Sequence, residues 1–200
     1  MSSHHIVRDE QEPALVLVES HWNSETLGSL LEWGPVVIVD IYLVDKVIEE
    51  GCKLDIVIGE EQDLATSKDK LLYQEPIKYL SKQKEEDTAL KAIFYLLSAK
   101  HKAVNIFVSV SDQLLQSIEI FLNRIDVVIF DEHVKWIYCK KVVFKKWYAK
   151  NRIIQFRKED IKIISENNCV KISDNTYQVI QEGLIEIQSD HNGFWLGETI

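Results

Sequence analysis

Through its first two-thirds the chain alternates short apolar runs with stretches of helical spacing, and that rhythm restricts the fold more than any other feature. PALVLVE (13–19), PVVIVDI (35–41), LDIVIG (54–59), PIKYLS (76–81), AVNIFVSV (103–110) and DVVIFDEH (126–133) read as strands. Unbroken apolar runs such as Ile56, Val57 and Ile58 belong to strands covered on both faces. Between them, ETLGSLLEW (25–33) has leucines at helical spacing, VDKVIEEG (44–51) is a short helix ended by glycine at its C′ position, and SDQLLQSIEIFLNR (111–124) is a further helix. The clearest helix lies in EEDTALKAIFYLLSAKH. Leu90, Ile93, Phe94 and Leu97 recur there at i, i+3, i+4 and i+7 and predict one apolar stripe, with Asp87 or Thr88 capping the start. Strands that alternate with helices in this way imply βαβ units and a mostly parallel sheet.

After about residue 134 the texture changes. VKWIYCKK, KVVFKKWY, RIIQFRK, IKIIS, TYQVI, GLIEIQ and FWLGE are short, aromatic or β-branched, and often alternating, with no convincing helix among them. The expected organisation is an α/β domain over residues 1–135 with a mostly parallel sheet, followed by an antiparallel β domain over residues 136–200. No Pro/Gly/Ser linker separates them, and a module of about 60 residues is small to stand alone, so a tight junction is expected. Trp136, Trp147 and Trp195 fall in the second module, where core packing is the expected role and a dimer interface the alternative.

Composition narrows the class of function. The chain has 200 residues, of which 46% are hydrophobic and 28% charged, with a formal net charge of −9. An acidic surface argues against nucleic acid, whose phosphates must be met by clustered Lys and Arg. The local exception is KKVVFKKWYAKNR (140–152), read as a solvated strand face, with an anion or subunit contact as the alternative. No apolar run reaches the roughly 18 residues of a membrane span, and MSSHHIVRDEQEP lacks a signal peptide's apolar core, so a cytoplasmic, membrane-free protein is expected. Cys52, Cys139 and Cys169 show no C-x-x-C spacing and indicate neither a disulfide framework nor a zinc site.

Only seven glycines are present, and none lies between Gly59 and Gly183. Neither G-x-G-x-x-G nor G-x-x-x-x-G-K-[ST] occurs, so a nucleotide site here would work without a glycine-rich phosphate cradle. Ligands of parallel α/β sheets bind beyond the carboxyl ends of the strands. Polar residues collected there are Asp40, Glu60 with Asp63, Asp87 and Asp112. Converging carboxylates repel unless a hard divalent cation such as Mg²⁺ or Ca²⁺ sits among them, and Mg²⁺ commonly brings a phosphate-bearing substrate. The plainer alternative is helix caps and solvated loop carboxylates. VVIFDEH imitates a Walker B segment, but with no P-loop the Asp131–His133 stretch reads as a turn. No Ser–His–Asp arrangement can be assembled from His4, His5, His21, His101, His133 and His191, all read as structural or exposed.

The order of elements and the segments at their junctions resemble the thiamine pyrophosphokinase family over nearly the whole chain. Where that family has a strand followed by Ala-Asp-Gly-Gly, VIVDIY keeps Asp40 but has Ile41 and Tyr42 for the glycines. Where it has Pro-Asp-x-x-x-Gly-Asp-x-Asp-Ser, LDIVIGEEQDL keeps Asp55 and Gly59, with Glu60 and Gln62 for the acidic ligands and Asp63 in the serine position. EEDTALKA offers Asp87 for the family's Thr-Asp. SVSDQLLQSI keeps Asp112 of Gly-Arg-x-Asp-His, and the thiamine-contacting Ser-Asn near the C-terminus is missing. The resemblance implies transfer of pyrophosphate from Mg-ATP to thiamine in a homodimer with thiamine between subunits. Asp63, Asp87 and Asp112 would be catalytic, Asp40, Asp55 and Gly59 would hold the nucleotide, and Glu60, Asp63 and Asp87 would ligate Mg²⁺. The alternative, to which the substitutions point, is a non-catalytic relative, a pseudoenzyme that keeps the fold and dimer and binds a ligand or partner.

Overall fold

The computed structural model describes residues 12–157, 161–190 and 192–200. The chain divides into two compact units, the first ending at Glu132 and the second running His133–Ile200.

In the first unit β1 (Ala14–Leu17) leads to α1 (Ser24–Leu31), whose first turn is capped by Asn23 accepting from the Thr26 N–H at 2.6 Å. β2 (Val37–Asp40) runs through a 3₁₀ turn, Ile41–Leu43, into α2 (Val44–Glu49). Gly51 follows with φ 76°, the left-handed conformation that stops a helix at little steric cost. Then come β3 (Ile56–Gly59), α3 (Glu61–Ser67), a 3₁₀ stretch Asp69–Gln74, and β4 (Lys78–Ser81). The unit closes with α4 (Thr88–Ser98), β5 (Ala103–Phe107), α5 (Asp112–Glu119) and β6 (Asp126–Asp131). All six strands are parallel in the order β6-β5-β1-β2-β3-β4. β1, β2 and β3 are buried along their full length, as their unbroken apolar runs require. Leu15, Leu17, Val39 and Val57 pack with Val47, Leu54 and Leu71 in one core.

One helix departs from expectation. The buried face of α4 is Thr88, Ala89, Ala92, Ile93 and Leu96, while Phe94 is 67% exposed and Leu90 and Leu97 are only half-buried. Two alanines let the helix backbone come close to β1 and β3, so the bulkier stripe is rotated outward. Phe94 meets Phe121 edge-on at 6.2 Å on that outer side.

The second unit contains β7 (Val134–Cys139), β8 (Val143–Tyr148), β9 (Ile153–Phe156), β10 (Ile161–Ile163), β11 (Cys169–Ser173), β12 (Thr176–Val179), β13 (Gly183–Ser189) and β14 (Phe194–Thr199). Two antiparallel sheets form within it, β11-β12-β9-β14-β7 and β10-β13-β8. Their inward residues, among them Ile154, Phe156, Ile185, Ile187, Phe194 and Leu196, make a second core. Trp136 and Trp195 are buried as expected of core residues, whereas Trp147 is exposed. β11 has no counterpart in the sequence reading, because its side chains are almost all exposed and give no alternation. No helix among the described residues is long and apolar enough to cross a membrane. His4, His5 and His191 lie outside the described residues.

The three cysteines are unpaired thiols. Burial, then the Glu198 charge, push the Cys139 thiol up to about 12, outweighing the opposite pull of Lys146. At pH 8 about one molecule in ten thousand would carry that thiolate, against roughly a quarter for a free cysteine. Cys169, half-buried, should therefore react first with iodoacetamide in native protein, and Cys52 and Cys139 only on unfolding. Mass-spectrometric mapping of a labelling time course checks this order.

Candidate functional site

The carboxyl ends of β2 and β3 bring together part of the expected acidic set. Asp40, the last residue of β2, is 7% exposed and has both oxygens engaged. Oδ1 accepts the Tyr42 N–H at 3.0 Å, capping the 3₁₀ turn, and Oδ2 accepts the Thr88 hydroxyl at 2.7 Å. That second bond pins the start of α4 beside the end of β2. Asp63, in the first turn of α3, accepts the Tyr42 phenol on Oδ2 at 2.8 Å. Glu60 stands at the N-cap of α3 with no side-chain capping bond. The Tyr42 pKa is raised, first by the hydrogen bond to Asp63 and that carboxylate's charge, then by partial desolvation and the charges of Glu60 and Asp40. Tyr42, a residue 72% exposed, thus bonds Asp63 through its phenol and feels the charges of Glu60 and Asp40 as well.

The other expected residues are not part of this cluster. Asp87 lies next to Thr88, but its side chain turns back to accept the Leu90 N–H at 3.0 Å as the α4 cap. Asp112 begins α5 after β5, which is two strands from β2, and it is exposed. Asp55 stands furthest from the expectation. It precedes β3, at the amino end of the sheet, where its carboxylate accepts the Val37 N–H at 2.9 Å and lies 3.7 Å from Lys53 Nζ. It braces the starts of β2 and β3 and stands at the opposite strand end from Gly59. Gly59 itself is a packing residue. A Cβ there would lie 2.7 Å from Ile41 Cγ2 and 2.8 Å from Ile41 Cβ, so the side chain of the 3₁₀ turn fills the space over the strand end.

Two further groups escaped the sequence reading. Tyr42 and Thr88 complete the hydrogen bonds of Asp63 and Asp40. Glu19, His21 and Ser109 form a second polar cluster beyond β1 and β5, the pair at which the strand order reverses. Ser109 Oγ donates to Glu19, His21 Nδ1 lies 3.2 Å from the same carboxylate, and His21 Nε2 lies 2.9 Å from the Phe130 carbonyl. Because Glu19 stands between serine and imidazole, the imidazole does not face the hydroxyl, and this is not a Ser–His pair. Glu19 and Ser109 each lie two residues beyond a strand, near the carboxyl end that had singled out Asp40.

Among the described residues no group of three or more His, Cys, Asp or Glu is placed to hold a metal ion. Asp40, Asp63 and Asp87 each direct an oxygen at a protein donor, whereas octahedral Mg²⁺ takes several oxygens aimed at one point. At Gly59 the Ile41 side chain fills the space over the backbone.

No family model matches the chain, and no curated protein sequence matches it. Solved structures do. Thiamin pyrophosphokinase from Candida albicans superposes with a TM-score of 0.67 at 10% identity, covering 96% of this chain and 90% of that one. The Geobacillus thermodenitrificans thiamin pyrophosphokinase gives 0.64 at 10% identity over 94% and 97% of the two chains. The Bacillus subtilis thiamine pyrophosphokinase gives 0.63 at 9% identity over 94% and 98%. The chain has the thiamin pyrophosphokinase fold. At such identities the likeness describes architecture, and the strand end in this chain holds a hydrogen-bonded clasp of Asp40, Tyr42, Asp63 and Thr88.

Proposed function

We propose that the chain is a non-catalytic member of this fold that binds a small organic cation at the Tyr42 cluster, with thiamine as the first candidate. The observation that carries the reading is the exposed Tyr42 ring among Asp40, Glu60 and Asp63, whose charges all act on it in the same sense. An aromatic face beside carboxylates attracts a cation such as the thiazolium of thiamine, and repels the polyphosphate of ATP. Support for binding without pyrophosphate transfer comes from Asp40 and Asp63 directing oxygens at protein donors and from Ile41 covering Gly59. A homodimer is part of this proposal, supported by the fold alone.

The second reading is a divergent enzyme that transfers pyrophosphate from Mg-ATP to thiamine. It draws on the same gathering of Asp40, Glu60 and Asp63 at one strand end. Incubating the protein with Mg-ATP and thiamine, and assaying AMP and thiamine diphosphate, separates the two. The expected result is saturable thiamine binding by calorimetry, weakened at least about tenfold in Tyr42→Ala, with no product and no thermal shift from Mg-ATP. Stoichiometric AMP and thiamine diphosphate would establish the enzyme instead, and absence of thiamine binding would remove the binding module.

A further inference from the structure

The β10-β13-β8 sheet of the second unit has one face in the core and one turned outward. Along β13, Ile185 and Ile187 lie in the core, so Leu184, Glu186 and Gln188 face out. Along β8, Lys146 and Tyr148 reach Glu198 on the inner side, so Val143, Lys145 and Trp147 face out. The outward side chains stand opposite one another in the ladder: Trp147 beside Leu184, Lys145 beside Glu186, and Val143 beside Gln188. Lys145 Nζ lies 2.8 Å from the Glu186 carboxylate. Trp147 is 57% exposed and Leu184 59%. Ile164, which follows β10 and is 48% exposed, extends the patch beside Glu186, whose carbonyl accepts its N–H at 2.8 Å. An open indole and leucine next to an ion pair form an apolar patch with a charged border, the composition of a protein contact.

The register selects the partner. We propose that a second copy of the chain docks on this face, which gives the homodimer of the proposed function its interface and rests on that part of it. A two-fold axis running along the strands, midway between β8 and β13, lays β8 of each copy over β13 of the other. Each outward residue then meets the residue type it already faces in its own sheet. Trp147 meets Leu184 of the partner subunit, and Lys145 meets Glu186 of the partner subunit. The four charges form a square of alternating sign, and the indoles are covered by leucine. Sheets stacked face to face lie about 10 Å apart and within about 30° of alignment, a gap that Lys and Trp side chains can fill from both sides. Another protein would have to present this pattern in reverse, whereas a copy of the chain presents it by symmetry. An overlap of two strands is small beside the roughly 800 Å² per partner of a standard interface, so the dimer is weak, with a dissociation constant on the order of 100 μM.

The test is sedimentation equilibrium of the full chain from about 5 μM to 1 mM, a range that brackets that constant. A monomer–dimer equilibrium is expected, with Trp147→Ser raising the dissociation constant at least about tenfold. Lys145→Glu leaves the patch wholly acidic and Glu186→Lys wholly basic. Each variant alone should sediment as a monomer, and an equimolar mixture of the two should associate as a heterodimer. Exposed ion pairs contribute little to folding, so both charge variants should fold, as thermal melts would establish. A wild-type monomer at every concentration would overturn both the homodimer and this interface. A dimer unchanged in folded Trp147→Ser, a dimer lost in Phe94→Ser on the outer side of α4 but kept in Trp147→Ser, or a mixture of the charge variants that stays monomeric would overturn the interface alone. Thiamine titration, measured apart, tests the Tyr42 reading and has no bearing on this one.

Discussion

Gly59→Ala should destabilise the first unit by about 1–3 kcal/mol, the usual range for overpacking a filled interior. The new methyl would be placed 2.7 Å from Ile41 Cγ2 and 2.8 Å from Ile41 Cβ, distances at which something must move. Ile41 is stiff, being β-branched, and it is 8% exposed between β2 and α2, so it has little room to yield. The effect should depend on that one neighbour. In an Ile41→Gly background, itself about 3 kcal/mol less stable from the lost burial, the same alanine should cost less than about 0.5 kcal/mol. Gly59 does not have a positive φ, so alanine carries no backbone penalty there. Urea denaturation of the four proteins measures the coupling. Equal increments for Gly59→Ala in both backgrounds would show that Ile41 does not close the strand end, and the space for a nucleotide would then be open.

Much of the architecture was legible because its causes are local. Six apolar runs separated by helical spacing can bury themselves only as a covered parallel sheet, and β1 to β6 follow them closely. The shift to short alternating segments after residue 134 marked the antiparallel strands equally well. What failed to show was decided by contacts across the fold. The stripe on α4 was misplaced because alanine carries a weak apolar signal, yet Ala89 and Ala92 are what let the helix approach the sheet. β11 pairs with β12 through its backbone while Val170 and Ile172 remain exposed, so no side-chain pattern announces it.

The site divides along the same line. Position after a strand placed Asp40, Glu60 and Asp63 correctly at one sheet edge, since strand direction fixes which end carries the following loop. The same reasoning puts Asp55, which precedes β3, at the other edge; family motif order had joined residues that the strand keeps apart. Partner choice was not legible. Asp40 could have faced solvent, a cation or a neighbour, and only the arrival of α4 decides that it meets Thr88.

Asp40 distinguishes a structural carboxylate from a ligand-binding one, because its two natural replacements should behave differently. In Asp40→Ala the Thr88 hydroxyl, buried with its residue 5% exposed, and the Tyr42 N–H both lose their acceptor. Leaving those two groups unsatisfied should cost about 2–4 kcal/mol and free the start of α4. In Asp40→Asn the amide oxygen still accepts from Tyr42, and the amide nitrogen can donate to Thr88 Oγ1, since a hydroxyl serves either role. The expected loss is below about 1 kcal/mol, with thiamine binding reduced only by the one missing charge. Chemical denaturation and calorimetry on both variants, with Thr88→Val to complete a double-mutant cycle, supply the numbers. A coupling of about 1 kcal/mol or more between positions 40 and 88 is what the clasp requires. An asparagine variant as unstable as the alanine one would mean that charge, and not hydrogen-bonding shape, holds the strand end together, and the cluster would then have to be read as a site built to keep an anion at position 40.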